Sequence, residues 1–313
     1  MVPTREGFLR KARFHGTVAL AVVSILLLLP FHLAAVANGG RTAMAVAPLW
    51  HRFVVRILGV RVTVTGSPVA TRPLLLLSNH TSWLDITVLA SIAPVSFIAK
   101  KEVAGWPIVG WLAKLQRSVF IDRERRHSVG AKTREVAGRL SKGDIIVLFA
   151  EGTSSDGNKV LPFRSALLGA AQHAIAAEGQ TATVQPVAIA YTGMLGLPLG
   201  RQHRPMVAWY GGTDLLPHLR RVLSEGAIDV HVVFGPPRTL RKDEDRKKVA
   251  TEAGLLVRRV VAAINRGTAP EAALAAASGA SNGGGDGGAF PVEDGAMMRS
   301  SVGETAIRSQ LPR

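Results

Sequence analysis

From Phe14 to Gly40 the chain carries no Asp, Glu, Lys or Arg, and its centre, Val18 to Leu29, is almost wholly aliphatic. About 20 consecutive apolar residues suffice to span a bilayer. Ala35-Val36-Ala37 has the small-residue character of a signal-cleavage site, but the apolar stretch is longer than a signal sequence needs, so a retained anchor is predicted. Arg5, Arg10, Lys11 and Arg13 precede it, which by the positive-inside rule places the N-terminus in the cytosol. A second apolar run, Thr42 to Leu58, sets Arg52 and Arg56 on an amphipathic pattern that suits an interfacial helix. Its flank is basic as well (Arg41, Arg52, Arg56, Arg61), so residues 1–60 read as a shallow membrane-anchoring helical hairpin rather than a single span. The bend is expected at Pro30 or at Asn38-Gly39-Gly40, with both ends cytosolic.

From residue 61 the pattern changes to short apolar runs separated by helical ones. Strands are predicted at 74–77, 95–99, 118–121, 145–149, 184–190 and 230–234, and helices near 83–92, 128–141, 163–177 and 243–265. Strands that read as continuous apolar runs between helices imply an α/β fold with a buried, mainly parallel sheet flanked by helices. This domain is expected over 61–267. Beyond Gly267 periodicity is lost, and the Gly/Ala/Ser-rich composition of 268–313 predicts a disordered tail.

Charge sharpens this picture. The 313 residues hold 38 Lys+Arg against 22 Asp+Glu, a formal net charge of +16, while 47% are hydrophobic. Such a chain seeks an anionic partner, and its hydropathy favours a membrane surface over nucleic acid. Aromatic residues are only 5%, too sparse for base-stacking platforms, and no nucleic-acid-binding motif is present. Cys is absent, which excludes a disulfide framework, a thiol nucleophile and Cys-ligated zinc. No Walker A pattern occurs.

The run Leu77-Ser-Asn-His-Thr-Ser-Trp-Leu-Asp-Ile86 follows an apolar strand and opens a helix. His80 stands at the strand's end, where α/β proteins place functional groups, and a neutral imidazole accepts protons near pH 7. Asp85 in the first helical turn can fold back to fix the tautomer and stabilise the imidazolium, as in a catalytic triad that lacks its serine. The nucleophile would then be a substrate alcohol. Backbone N–H groups at the helix start offer donors to the oxyanion. Ser82-x-x-Asp85 is equally a capping box, in which Asp85 only satisfies the helix N-terminus.

Three further segments bear on that choice: Ser118-Val-Phe-Ile-Asp-Arg123, Phe149-Ala-Glu-Gly-Thr-Ser154 and Val184-Gln-Pro-Val-Ala-Ile189. With Asn79-His80-x4-Asp85 they stand in the order of four motifs, and the chain resembles the membrane-associated glycerolipid acyltransferase superfamily over residues 60–240. The resemblance implies that His80 is the general base on an acceptor hydroxyl and Asp85 its orienting partner. It implies further that Asn79, Glu151, Gly152 and Thr153 help build the acceptor site and that Arg123 holds an anionic headgroup. The donor would be an acyl carrier protein or coenzyme A thioester, steered by the basic stretch Lys100–Lys142, and no metal or cofactor is expected. Ser154 stands where the family usually has Arg, Ala150 where it has Pro, and Arg117 where Gly is common. With Ala190-Tyr-Thr192 and Ala208-Trp-Tyr-Gly211, these departures are similar to the bacterial lyso-ornithine lipid acyltransferases, whose acceptor carries no phosphate. A 1-acyl-glycerol-3-phosphate acceptor is the alternative. The implied location is the cytosolic face of a bacterial inner membrane.

Overall fold

Leu74-Leu-Leu-Leu77 is an uninterrupted apolar run, and all four side chains are buried. Each contributes on the order of 1.5–3 kcal/mol by leaving water, and alternate leucines face opposite sides, so both faces of this strand must be covered. The computed structural model describes residues 5–37, 41–121, 135–136, 138–166, 168–169, 172 and 181–279. Among these, nine strands form one sheet: β1 (Val60–Thr65), β2 (Leu74–Ser78), β3 (Val95–Lys100), β4 (Val119–Ile121), β5 (Ile145–Phe149), β6 (Ala182–Met194), β7 (Leu197–Pro198), β8 (Ile228–Phe234) and β9 (Arg238–Leu240). The order is β1-β8-β6-β2-β5-β3-β4, with β7 and β9 paired to β6. Strands β2 to β6 are joined in parallel, and β1 is parallel to β8, whereas β6 meets β7, β8 and β9 antiparallel.

Seven helices are described: α1 (Arg5–Ala37), α2 (Arg41–Leu58), α3 (Leu84–Ile92), α4 (Val109–Leu115), α5 (Leu215–Glu225), α6 (Arg246–Ile264) and α7 (Pro270–Gly279). One face of the sheet packs Leu75, Leu77, Ile146 and Leu148 against Val249, Ala253 and Val257 of α6 and Ala273 and Ala277 of α7. The other packs Leu74, Leu76, Ile145 and Val147 against Val55 and Leu58 of α2, Leu84 and Val88 of α3 and Val222 of α5. The result is the expected α/β arrangement, a mostly parallel sheet between helices.

Two expectations are corrected. Helix α1 runs through Pro30 without ending, so the connection to α2 falls after Ala37. Residues 270–279, read as disordered tail, form α7: Ala, Leu and Glu have high helix propensity, and Ala273 and Ala277 find the groove beside α6. The remainder of that tail, Asn38-Gly39-Gly40, and most of the helices expected at 128–141 and 163–177 lie outside the described residues.

Helix α1 inverts the normal amphipathic rule. Thr17 and Ser24 are turned inward, while Leu20, Val23, Leu26, Leu27 and Phe31 face outward and are exposed. Gly7–Ala35 is long and apolar enough to cross a membrane. Both of its halves nevertheless touch the α/β domain: the Arg10 guanidinium lies 4.0 Å from the Glu225 carboxylate at the end of α5, and His32 Nε2 donates to the Leu115 carbonyl at 3.0 Å. These contacts, at Arg10 and His32, stand 22 helical positions apart, about 33 Å of rise.

Candidate active site

The candidate site begins where β2 and β5 end together, at Ser78 paired with Phe149, the edge of a parallel sheet where ligands bind. Chain leaving β2 must turn sharply into α3, and the turn is fixed from three sides. The Asn79 amide donates to the Ile189 carbonyl at 2.9 Å and accepts from the Ile189 N–H at 2.8 Å. The His80 N–H donates to Glu151 Oε1 at 2.7 Å, and the His80 carbonyl accepts from the Ser155 N–H at 2.9 Å. The Thr81 carbonyl accepts from the Trp209 N–H at 2.9 Å.

Asp85 is fully buried and receives four donors. Its Oδ2 accepts from His80 Nδ1 at 2.8 Å, from the Thr81 N–H at 2.7 Å and from the Ser82 N–H at 2.9 Å. Its Oδ1 accepts from the Tyr191 hydroxyl at 2.7 Å. Capping and orienting, alternatives in the sequence, are here one carboxylate doing both: the N–H groups at the helix N-terminus anchor it, and the anchored oxygen fixes the imidazole tautomer. Nδ1 is the donor, so Nε2 is left as the acceptor. The His80 ring lies flat on Phe149, centroids 4.0 Å apart, and its side chain is 17% exposed. A base with one nitrogen oriented and the other open to a neighbouring hydroxyl is the geometry of proton abstraction. Oxyanion donors were expected among the N–H groups at the helix start; those of Thr81 and Ser82 are both taken up by Asp85.

Two participants were not read from the sequence. Tyr191 lies on β6, which overruns β2 by several residues beyond the Ser78–Val187 pair. Burial, then the charge and hydrogen bond of Asp85, push its phenol well above the usual range, so it stays a donor. Phe149 is the platform for the imidazole.

The other expected residues divide. Glu151 is buried and faces inward, accepting from the His80 N–H through Oε1 and from the Leu161 N–H at 2.7 Å through Oε2. Glu151 and Asn79 therefore position the backbone around His80. Gly152 adopts φ +74°, the left-handed turn that carries the chain away from β5, and Thr153 beside it is exposed. Arg123 lies outside the described residues. Arg117 itself sits at φ +56°, where a glycine is easier, and its guanidinium reaches Asp144 at 3.1 Å. Ala150 donates its N–H to Ser78, which a proline could not do. Among the described residues no group of His, Asp and Glu has the arrangement of a metal site.

Burial raises the Glu151 pKa to about 7, against the two backbone donors and Arg258 and with the help of Asp85. The folded chain thus binds a proton that the unfolded chain releases near pH 4.5, so this group's stabilisation is lost as pH rises from there through about 7. Glu151→Gln removes that titration. Thermal melts are expected to show a smaller loss of stability between pH 4.5 and 7 in the variant than in the native chain, and parallel curves above pH 8. Equal slopes across the whole range would contradict the burial account.

Comparison with known proteins places this geometry. The model of the Acyltransferase family matches residues 61–190, a span that contains His80, Asp85 and Glu151. The lyso-ornithine lipid O-acyltransferase of Brucella abortus is 48% identical over 241 residues, covering 76% of this chain and 90% of that protein. The protein of the same name from Rhizobium meliloti is 46% identical, covering 72% and 77%. In fold, the chain matches the crystal structure of the 1-acyl-sn-glycerophosphate acyltransferase of Thermotoga maritima, with TM-score 0.60 at 22% identity, over 83% of this chain and 97% of that one.

Proposed function

The chain belongs to the acyltransferase family, and we propose that it acylates the free hydroxyl of lyso-ornithine lipid at the cytosolic face of a bacterial inner membrane, from an acyl carrier protein or coenzyme A thioester. The observation that carries the chemistry is the Asp85–His80 pair, with Nε2 the imidazole nitrogen left to accept. The acceptor hydroxyl gives its proton to Nε2 as its oxygen attacks the thioester carbonyl. The tetrahedral intermediate collapses by breaking the C–S bond, and the imidazolium returns the proton to the departing thiolate. Asp85 stabilises the imidazolium between those steps while Tyr191 and two backbone N–H groups keep the carboxylate in place. An activated thioester and a general base suffice, so no metal or cofactor is called for. Arg123 and the basic residues around it are assigned to anionic groups of the substrates, for which a guanidinium fork is suited.

Identity to the named relatives supports the acceptor, as does Ser154 in the place of a phosphate-side Arg. The inverted amphipathicity of α1 supports membrane attachment. Its two contacts with the domain support a helix lying along the surface, since a helix held to one domain at both ends does not cross the bilayer. In a strain from which the gene is deleted, lyso-ornithine lipid should accumulate and the diacylated lipid disappear from the extracted lipids. Accumulation of lysophosphatidic acid alone would assign the other acceptor.

A further inference from the structure

Between β3 and α4 the chain makes an apolar projection. Ile108 is 71% exposed, and Val109 and Trp111 are exposed beside it. The projection is built. Ile108 sits at φ 63°, ψ −57° with the Val109 N–H donating to the Pro107 carbonyl at 2.6 Å, a γ-turn of the strained hand. A β-branched residue with positive φ is a rare conformation. Buried Gly110 permits it: a Cβ there would meet the Ala104 and Val103 carbonyls at 2.5 and 2.7 Å, so only glycine lets α4 start so close to the preceding turn. The turn thus holds an aliphatic side chain outward on a strained backbone.

Its neighbours indicate what covers it. The far end of α4 is clasped by the helical hairpin: His32 of α1 donates to the Leu115 carbonyl, and the buried His51 of α2 lies against the Gln116 amide. The projection is therefore attached to the C-terminal half of α1, whose outer face exposes Leu26, Leu27 and Phe31. Lys114 on the same helix is exposed, and two tryptophans flank the turn, the residue types found at a bilayer's headgroup boundary. Towards the interior, Trp106 packs edge-on to Trp209 with centroids 5.9 Å apart, and Trp209 donates its N–H to Thr81, next to His80.

We propose that the Trp106–Trp111 turn inserts into the same leaflet as α1 and forms the lipid-side lip of the active site, across which the lyso-lipid moves from the bilayer to His80. The inference rests on the reading of α1 as a membrane-lying helix. Because the chain contains no Cys, a single Ile108→Cys carries one nitroxide label in the full chain. Labels at Leu27→Cys on α1 and at exposed Thr251→Cys on α6 serve as references. On mixed phosphatidylethanolamine–phosphatidylglycerol vesicles, collision with oxygen relative to a water-soluble nickel chelate should be several-fold higher at 108 than at 251, and comparable with 27. A label at 108 that matches 251 while 27 is lipid-buried overturns the proposal and leaves the anchor intact. Water-like values at both 27 and 108 overturn the anchor and the proposal together.

Discussion

His80→Ala lowers acyl transfer by roughly 10³–10⁴-fold, the scale expected when a positioned general base is removed, and leaves a folded, vesicle-binding chain. The side chain makes one hydrogen bond, to Asp85, and one ring contact, with Phe149. Without it Asp85 still receives the Thr81 and Ser82 N–H groups and the Tyr191 hydroxyl, so no buried charge is orphaned. The stability lost is expected to be about 1–2 kcal/mol, the value of a half-buried ring and one hydrogen bond. Transfer measured with radiolabelled thioester, alongside a thermal melt, separates the two effects. Residual activity within tenfold of the native chain would remove His80 from the chemistry.

Asp85→Asn should cost less, roughly 10²–10³-fold, because this site separates the two services of the carboxylate. The Thr81 and Ser82 N–H groups point at one oxygen and select the amide rotamer that keeps an oxygen there. The Nδ1–H tautomer therefore survives, unlike the case in which an amide flips and presents a donor to the imidazole. What disappears is the negative charge that stabilises the imidazolium, and the amide nitrogen then faces the Tyr191 hydroxyl, which must turn to accept. The loss should fall in kcat with KM little changed, since the imidazolium exists only during reaction. The melting temperature should fall too, because three charge-assisted hydrogen bonds weaken at a buried site. A loss as large as that of His80→Ala would mean that the tautomer is not held by the backbone.

The parts of this site that the sequence disclosed are those contiguous in it. Asn79-His80-x4-Asp85 spans one turn between a strand and a helix, so spacing alone brings the imidazole to the carboxylate. Tyr191 is 106 residues from Asp85 and arrives only because β6 pairs in parallel with β2 and continues past its end. A sequence shows a strand there but not its overrun. Glu151 illustrates the opposite case: the family resemblance implied a place in the acceptor site, whereas the local turn at Gly152 and the two N–H groups of His80 and Leu161 draw its carboxylate inward. Among the elements, runs such as Leu74–Leu77 and Ile145–Phe149 declare buried strands by uninterrupted apolar composition. Helix α4 was not read because it is only seven residues long and turns Trp111 outward; helix α5 is one-sided, but it is short and carries Pro217 in its first turn. Helix α7 was missed because alanine gives strong propensity with little hydrophobic contrast.

Acid, base and scaffold all serve one claim, that His80 activates a lipid hydroxyl whose headgroup is ornithine. Purified full-length chain in mixed vesicles, given equal lyso-ornithine lipid and lysophosphatidic acid with acyl carrier protein thioester, tests it most directly. The expected result is formation of diacylated ornithine lipid, lost in His80→Ala, with lysophosphatidic acid left unconsumed. Consumption of lysophosphatidic acid in preference, or acylation of either lipid that persists in His80→Ala, would contradict it.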